Sequence, residues 1–306
     1  MTVRTQTLTL MQVIPWRSYV KLCKIKVVSL VVFTALVAMV LAAPPGNLPW
    51  ATVLAATVGI ALAGASAAAL NHIADREIDT VMGRTQNRPL PMGNISRGSA
   101  TVFALSLASL ALVIIWTLVN PLTAVLTLLT LIGYAVIYTR YLKWIGPQNI
   151  VLGGASGAAP AMLGWCAITG QIGWEAFALF LIIFVWTPPH FWALAIARRD
   201  EYAKAGVPMM PVIRGVAYTK RSIFAYALVL IPVSYLPVTV GLSGPFYLIG
   251  ATVLGGLFAI RAYRLMSVDS DRQAMRLFGF SITYLTVLFA LLLVDHYLPI
   301  SGWSSW

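Results

Sequence analysis

The chain has 306 residues, of which 59% are hydrophobic and only 10% charged, with a formal net charge of +12. Ordinary soluble domains carry roughly one-quarter charged residues, so this composition excludes a soluble globular protein and places most of the chain in lipid. The positive balance would suit nucleic acid, but its distribution along the chain assigns it to membrane topology instead.

A bilayer-spanning helix needs about 20 predominantly apolar residues. Nine such runs follow one another, centred near Phe33, Thr57, Leu107, Leu129, Ala159, Phe184, Ile231, Leu254 and Leu285. They predict an all-α fold: a polytopic membrane helical bundle of about nine transmembrane helices, one domain over residues 1–306 with no dividing linker. Short cytoplasmic loops collect Lys and Arg, and the sorting here is complete. Arg4, Arg17, Lys21, Lys24 and Lys26 precede the first run; Arg76, Arg84, Arg88 and Arg97 follow the second; Arg140 and Lys143 follow the fourth. The remaining basic residues lie in 198–221 and 261–276, so that all 21 fall on one side of a nine-span arrangement. The N-terminus is therefore expected in the cytoplasm and the C-terminus outside, with Trp303 and Trp306 in the interfacial aromatic belt. No short apolar segment with a small-residue cleavage site opens the chain, which reads as an uncleaved protein of the bacterial inner membrane. Cys23 and Cys166 have no C-x-x-C spacing and are read as passive.

Five of the nine acidic residues crowd into two short segments, each at the cytoplasmic exit of an apolar run. The first reads Asn71-His72-Ile73-Ala74-Asp75-Arg76-Glu77-Ile78-Asp79. Residues four apart on a helix differ by only about 40° in azimuth, so Asn71, Asp75 and Asp79 are predicted to line one stripe if the second span continues as helix. Hard oxygen ligands one turn apart suit Mg²⁺, which uses one or two carboxylates plus substrate phosphates. The competing reading is a solvated helix end with weak surface ion pairs to Arg76 or Arg84; it is weakened because the acids continue directly from an apolar run, where ionisable groups are costly. The loop that follows, residues 82–93, carries Arg84 and Arg88, whose planar forks suit phosphate oxygens. Acids for a metal and arginines for an anion together describe a diphosphate site.

After the fourth span come Lys143 and then Gly153-Gly154-Ala155-Ser156-Gly157, small residues that serve close helix packing or clear room for a flat ligand. The sixth span contains Trp186-Thr187-Pro188-Pro189-His190-Phe191-Trp192. The double proline predicts that this helix breaks or kinks and restarts, with His190 in the bundle interior, where it binds haem iron, holds a propionate, moves a proton or satisfies freed carbonyls. The second acidic segment follows, Arg198-Arg199-Asp200-Glu201-Tyr202-Ala203-Lys204. Asp75 and Asp200 each end an even-numbered span, four spans apart, which predicts a pseudo-repeat of two four-helix units plus a ninth helix.

The asparagine-led aspartate pair, followed by Arg-Thr and Arg-Pro-Leu-Pro, resembles the UbiA superfamily of intramembrane prenyltransferases over the whole chain. The runs from Trp186 to Ile196 and from Ala205 to Val212 look like the branch of that superfamily that joins farnesyl diphosphate to a vinyl group of protoheme IX, supplying haem O to terminal oxidases. This resemblance implies a Mg²⁺ cofactor held by Asn71, Asp75 and Asp79, with Asp200 and Glu201 in a looser second metal motif lacking D-x-x-x-D. It implies Arg84, Arg88, Lys143, Arg199 and Lys204 on the diphosphate, Asp75, Asp79 and His190 as catalytic residues, and His190 and Trp192 at the haem. Implied partners are the two substrates, membrane lipid, and a haem A synthase or oxidase-assembly protein, with no nucleic acid. The sequence departs from the pattern at Cys23-Lys24-Ile25-Lys26, where Thr-Lys-Pro-Arg is common, and at Trp144. Rival readings are prenyl transfer to an aromatic quinone precursor, a transporter with broken helices, and a non-catalytic assembly factor.

Overall fold

The computed structural model describes residues 16–268 and 270–298; the expectations for Arg4, Trp303 and Trp306 lie outside them. The chain begins with α1 (Trp16–Leu22), α2 (Ile25–Leu41), α3 (Trp50–Ala74), α4 (Arg76–Val81), α5 (Arg97–Leu118) and α6 (Pro121–Ile132). A π-helical segment, Gly133–Leu142, prolongs α6 and leads through α7 (Lys143–Ile145) to α8 (Asn149–Thr169) and α9 (Trp174–Ala197). There follow α10 (Arg199–Lys204), α11 (Met210–Ile213), α12 (Val216–Val233), α13 (Leu236–Thr239), α14 (Pro245–Ser267) and α15 (Asp271–Tyr297). The described residues are helical with no strand. Among the described residues, eight helices are long and apolar enough to cross a membrane, and a ninth span is formed if α1 and α2, which meet at 52°, are one broken span. Each of the nine predicted centres falls inside one of these spans. This is a multi-pass membrane protein.

Local chemistry sets the helix ends. Ser96 caps α5 by accepting from the Ser99 amide at 3.0 Å, and Asn120 caps α6 by accepting from the Thr123 amide at 2.8 Å. Helix α3 packs on α5, α8 on α2 and α9, α9 on α12 and α15, and α15 reaches back to α2. In α9, 72% of the apolar stretch is buried, against 22% in α5, so α9 is the central helix and α5 turns most of its surface to lipid.

Two features depart from the expected plan, and a third, the run of small residues, takes the packing side of its two readings. Helix α9 runs unbroken through Pro188 and Pro189 rather than stopping and restarting. The prolines remove the amide donors that would serve the Phe184 and Val185 carbonyls, and packing on α8, α12 and α15 holds the helix in register; the Thr187 hydroxyl adds a bond to the Ile183 carbonyl at 2.7 Å. The fourth span widens into the π-helical segment, where the Thr139 hydroxyl reaches five residues back to the Tyr134 carbonyl at 2.7 Å. Three glycines of α8 are closed over by neighbouring side chains and backbone: a Cβ at Gly153 would strike the Tyr138 ring, one at Gly154 would press on Thr187, and one at Gly164 would strike the Ala35 backbone, whereas one at Gly157 would meet nothing within 4 Å. At these three positions they serve close approach rather than a flat ligand.

Hydrogen bonds show which helix ends share a layer. Lys24, Asn71, Asp75, Asp79, Arg88 and Lys143 meet at one end, where Arg199 also reaches Asp271. At the other end Asn120 donates to the Cys166 carbonyl, and Asp295 accepts from Ser243 and from the Tyr247 amide. The basic loops therefore do collect at one end of the bundle.

Candidate active site

Helix α3 continues past its formal end. The Asp75 amide bonds to the Asn71 carbonyl at 2.9 Å and the Asp79 amide to the Asp75 carbonyl at 2.8 Å, so helical spacing persists into α4. Asn71, Asp75 and Asp79 consequently lie on one stripe, at 6%, 9% and 3% exposure, and the solvated reading fails for all three. Glu77, off the stripe, is exposed. Asn71 Nδ2 donates to Asp75 Oδ2 at 3.0 Å, orienting its own Oδ1 outward.

Buried carboxylates require paired cations, and three converge here. Lys143 Nζ donates to Asp75 Oδ1 at 2.7 Å. The Arg88 guanidinium donates through NH1 to both Asp79 oxygens, at 2.9 and 2.7 Å. Lys24 Nζ donates to Asn71 Oδ1 at 2.7 Å. Three cations against two carboxylates leave the site with surplus positive charge, suited to an anion.

The backbone that delivers each cation is unusual or braced. Lys24 sits at the bend between α1 and α2 with φ 46 and ψ 53, the one positive φ outside glycine among the described residues. Such a conformation costs a lysine roughly 1–2 kcal/mol, and it aims the side chain back at the stripe. Lys143 ends the π-helical segment; the Asn149 side chain donates to its carbonyl at 3.1 Å and its ammonium lies 5.5 Å from the Trp144 ring centre. Arg88 lies in a loop held by Thr85, whose hydroxyl donates to the Asp79 carbonyl at 3.2 Å.

One wall is aromatic. Tyr134 and Tyr138 stack at 5.6 Å and 17° across one turn of the π-helical segment. Tyr202, in α10, lies within electrostatic reach of Tyr138, Arg84 and Arg88. Burial pushes the Tyr202 hydroxyl above the usual phenol range, while Arg84, Arg198 and Arg88 pull the other way. It stays protonated and can donate to an anion.

A family model, the UbiA prenyltransferase family, matches residues 31–293. The chain belongs to that family. Among curated relatives it is 55% identical to a protoheme IX farnesyltransferase of Nitrosococcus oceani over 93% of this chain and 95% of the relative. A protoheme IX farnesyltransferase of Thioalkalivibrio sulfidiphilus is 56% identical over 92% of this chain and 93% of the relative. Among solved structures, a digeranylgeranylglyceryl phosphate synthase superposes with TM-score 0.76 at 18% identity, covering 92% of this chain and 98% of that one. A UbiA homologue of Archaeoglobus fulgidus bound to DMAPP and Mg²⁺ has TM-score 0.63 at 17% identity, covering 90% and 99%. These likenesses establish the UbiA fold.

The second acidic segment is built differently. The Asp200 side chain is 84% exposed and lies 3.9 Å from Arg199 Nε. Glu201 accepts from Arg198 at 2.8 Å, Arg199 NH1 donates to Asp271 at 2.5 Å, and Lys204 is exposed. Asp200 and Glu201 thus meet Arg199 and Arg198 rather than the Asn71 stripe, whereas Tyr202 of α10 lies within electrostatic reach of Arg84 and Arg88. Among the described residues no group of three His, Cys, Asp or Glu could hold a metal ion. The donor set at α3 nevertheless fits Mg²⁺: two carboxylates and an amide oxygen suffice when phosphate oxygens supply further ligands. Their oxygens accept from Lys24, Lys143 and Arg88.

His190 and Trp192 point apart. His190 packs on α15, whereas Trp192, 1% exposed, meets Tyr226 of α12 edge-on at 5.3 Å. The two do not form one haem wall, because residues two apart on a helix face nearly opposite directions. Sequence reasoning missed Lys24, Tyr134, Tyr138 and Tyr202. The departure at Cys23-Lys24-Ile25-Lys26 was the only signal for Lys24; the tyrosines had none, since a π-helix is invisible in hydropathy.

Proposed function

We propose that this protein transfers a farnesyl group from farnesyl diphosphate to a vinyl group of protoheme IX, giving haem O, at the cytoplasmic face of the bacterial inner membrane. The observation that carries the prenyl-transfer half is the buried Asn71-Asp75-Asp79 stripe with Lys24, Lys143 and Arg88 converging on it. The acceptor is supported by the activity named for relatives 51–56% identical over more than nine-tenths of the chain. Cytoplasmic orientation is supported by the basic residues gathered at the site's end.

In this reading Asn71, Asp75 and Asp79 hold Mg²⁺, which when bound neutralises diphosphate charge as the allylic C–O bond ionises. Lys143, Arg88 and Lys24 donate to the diphosphate oxygens, supplying fixed charge where negative charge develops, and Tyr202 donates a further hydrogen bond. The bond electrons leave with diphosphate. The terminal vinyl carbon of the porphyrin attacks the farnesyl cation, and water then captures the resulting side-chain cation, losing a proton to solvent and leaving a hydroxyethylfarnesyl group. Apolar helix walls delay water until the carbon–carbon bond has formed. A transporter would hold its charges near the membrane midplane, and here they sit at one end.

The test is haem extraction and mass analysis from a bacterium lacking its own haem O synthase, expressing this protein or its Asp75→Asn variant at equal level. Haem O with the parent protein and none with the variant is expected. A prenylated aromatic ring in place of haem O would move the acceptor to a quinone precursor.

A further inference from the structure

Helix α1 is amphipathic, and its apolar face does not close onto the bundle. Trp16, Tyr19, Val20 and Cys23 recur at helical spacing on that face, with Arg17 and Lys21 on the flank beside it. Leu22 alone of α1 is buried, in a cluster with Ala69 and Ala104. Opposite the apolar face, α5 presents Ser99, Val102 and Phe103 at the same spacing. Between the two stripes runs a groove of about 690 Å³, a size typical of ligand pockets. The Tyr19 and Phe103 rings meet across it at 4.9 Å, while Trp16, Val20 and Val102 stay 61%, 39% and 67% exposed.

Charge at this groove is one-sided. No Asp or Glu precedes Asp75 in the chain. Arg17, Lys21 and Arg97, the residue that opens α5, are exposed, and among the described residues none of the three has an ion pair. The Arg17 guanidinium lies 5.6 Å from the Trp16 ring centre, a cation–π contact that keeps it beside the groove. The groove also lies at the basic end of the bundle, because Cys23 ends it and the next residue, Lys24, reaches Asn71.

We propose that this groove holds one anionic phospholipid, with an acyl chain between α1 and α5 and the phosphate against Arg17 and Lys21. Bulk lipid touches every span, but here apolar stripes suited to a chain adjoin unpaired cations suited to a phosphate, on a short amphipathic helix at the level of the headgroups. A neutral lipid would leave the cations without a counter-charge, and a free phosphate would leave the stripes uncovered. An anionic phospholipid satisfies both. Its seat adjoins the α1–α2 bend, so the lipid braces the turn that delivers Lys24.

The test is native mass spectrometry of the purified full chain, stripped of lipid in detergent and titrated with phosphatidylglycerol or with phosphatidylcholine of the same acyl chains. The parent protein should retain one phosphatidylglycerol at least roughly tenfold more tightly than phosphatidylcholine. Arg17→Gln combined with Lys21→Gln should lower phosphatidylglycerol affinity roughly 10- to 30-fold, the effect of two charges beside a headgroup, and leave phosphatidylcholine unchanged. Both side chains are exposed, so the pair keeps the fold. Val102→Trp, which fills the groove without altering charge, should expel the lipid as well; if that variant misfolds, the charge pair decides alone. Arg272→Gln combined with Arg276→Gln, the same charge loss on exposed positions of α15, should have no effect. Equal retention of the two lipids by the parent protein would remove charge recognition and overturn the proposal. Equal losses from the α1 and α15 pairs would overturn it too, since net charge and not this groove would then hold the lipid. Displacement of the lipid by glycerol phosphate, a headgroup without a chain, would do the same by reducing the site to a phosphate contact.

Discussion

The segments after α3 and after α9 contain the same residue types, carboxylates and basic residues following a long apolar helix, yet they end in opposite environments. Asp75 and Asp79 are buried and each meets a cation, Asp75 the distant Lys143 and Asp79 the Arg88 of the loop that follows α4. Asp200 points into solvent, and Glu201 pairs three residues back with Arg198. The difference lies in what surrounds each helix end. The stripe on α3 is enclosed by the α1–α2 bend, the π-helical segment and the 82–93 loop, whereas α10 is a short helix with no buried residue. Burial turns an acid into a committed site because an unpaired charge there is costly; exposure leaves an ion pair worth about 0.2–1 kcal/mol.

The sharpest test of that contrast is to neutralise one acid in each segment. Asp75→Asn or Asp79→Asn should lower turnover at least roughly 100-fold, as loss of charge stabilisation at a reacting centre does, whereas Asp200→Asn should stay within about threefold; haem O formed per minute by purified protein reads both. Equal losses would mean that the second segment closes onto the first during turnover. Next come the cations. Lys143→Met or Arg88→Met removes a charge-assisted hydrogen bond worth about 1.5–3 kcal/mol, and the KM for farnesyl diphosphate should rise roughly 10- to 100-fold. Lys143→Arg should not restore it, because the fork and the ammonium fill different shapes.

Smaller effects probe how the first site is shaped. Gly153→Ala forces the Tyr138 ring aside and should cost about 1–3 kcal/mol of stability, read as a lower unfolding midpoint together with reduced turnover. Lys24→Gly relieves about 1–2 kcal/mol of left-handed strain but loses the bond to Asn71, worth about 1.5–3 kcal/mol, so the unfolding midpoint should move little while diphosphate binding weakens; unchanged diphosphate binding would remove Lys24 from the site. The smallest effect belongs to the second segment: Asp271→Ala breaks its exposed contact with Arg199 and should shift stability by less than about 1 kcal/mol, by thermal unfolding in detergent.

Much of this was legible beforehand for a definite reason. Spans are set by local apolar length, so all nine centres could be read without knowing any contact. The Asn71-Asp75-Asp79 stripe was legible because helical periodicity is local too. Lys24 was not, since its role depends on a backbone bend 47 residues away in sequence from its partner. Pro188 and Pro189 misled because the rule that proline breaks helices assumes the helix stands alone, and α9 is held by neighbours on several sides. The acids near Asp200 read like those near Asp75 because burial of a helix end depends on what is packed around it.

The sequence by itself determined a multi-pass helical membrane protein, the sorting of its charges and the order of its oxygen ligands, all consequences of length, hydropathy and a 3.6-residue repeat. The tertiary structure decided which cations meet those ligands and which acidic segment is buried. Each of these depends on residues distant in the chain being brought within hydrogen-bond range, and no local pattern encodes that distance.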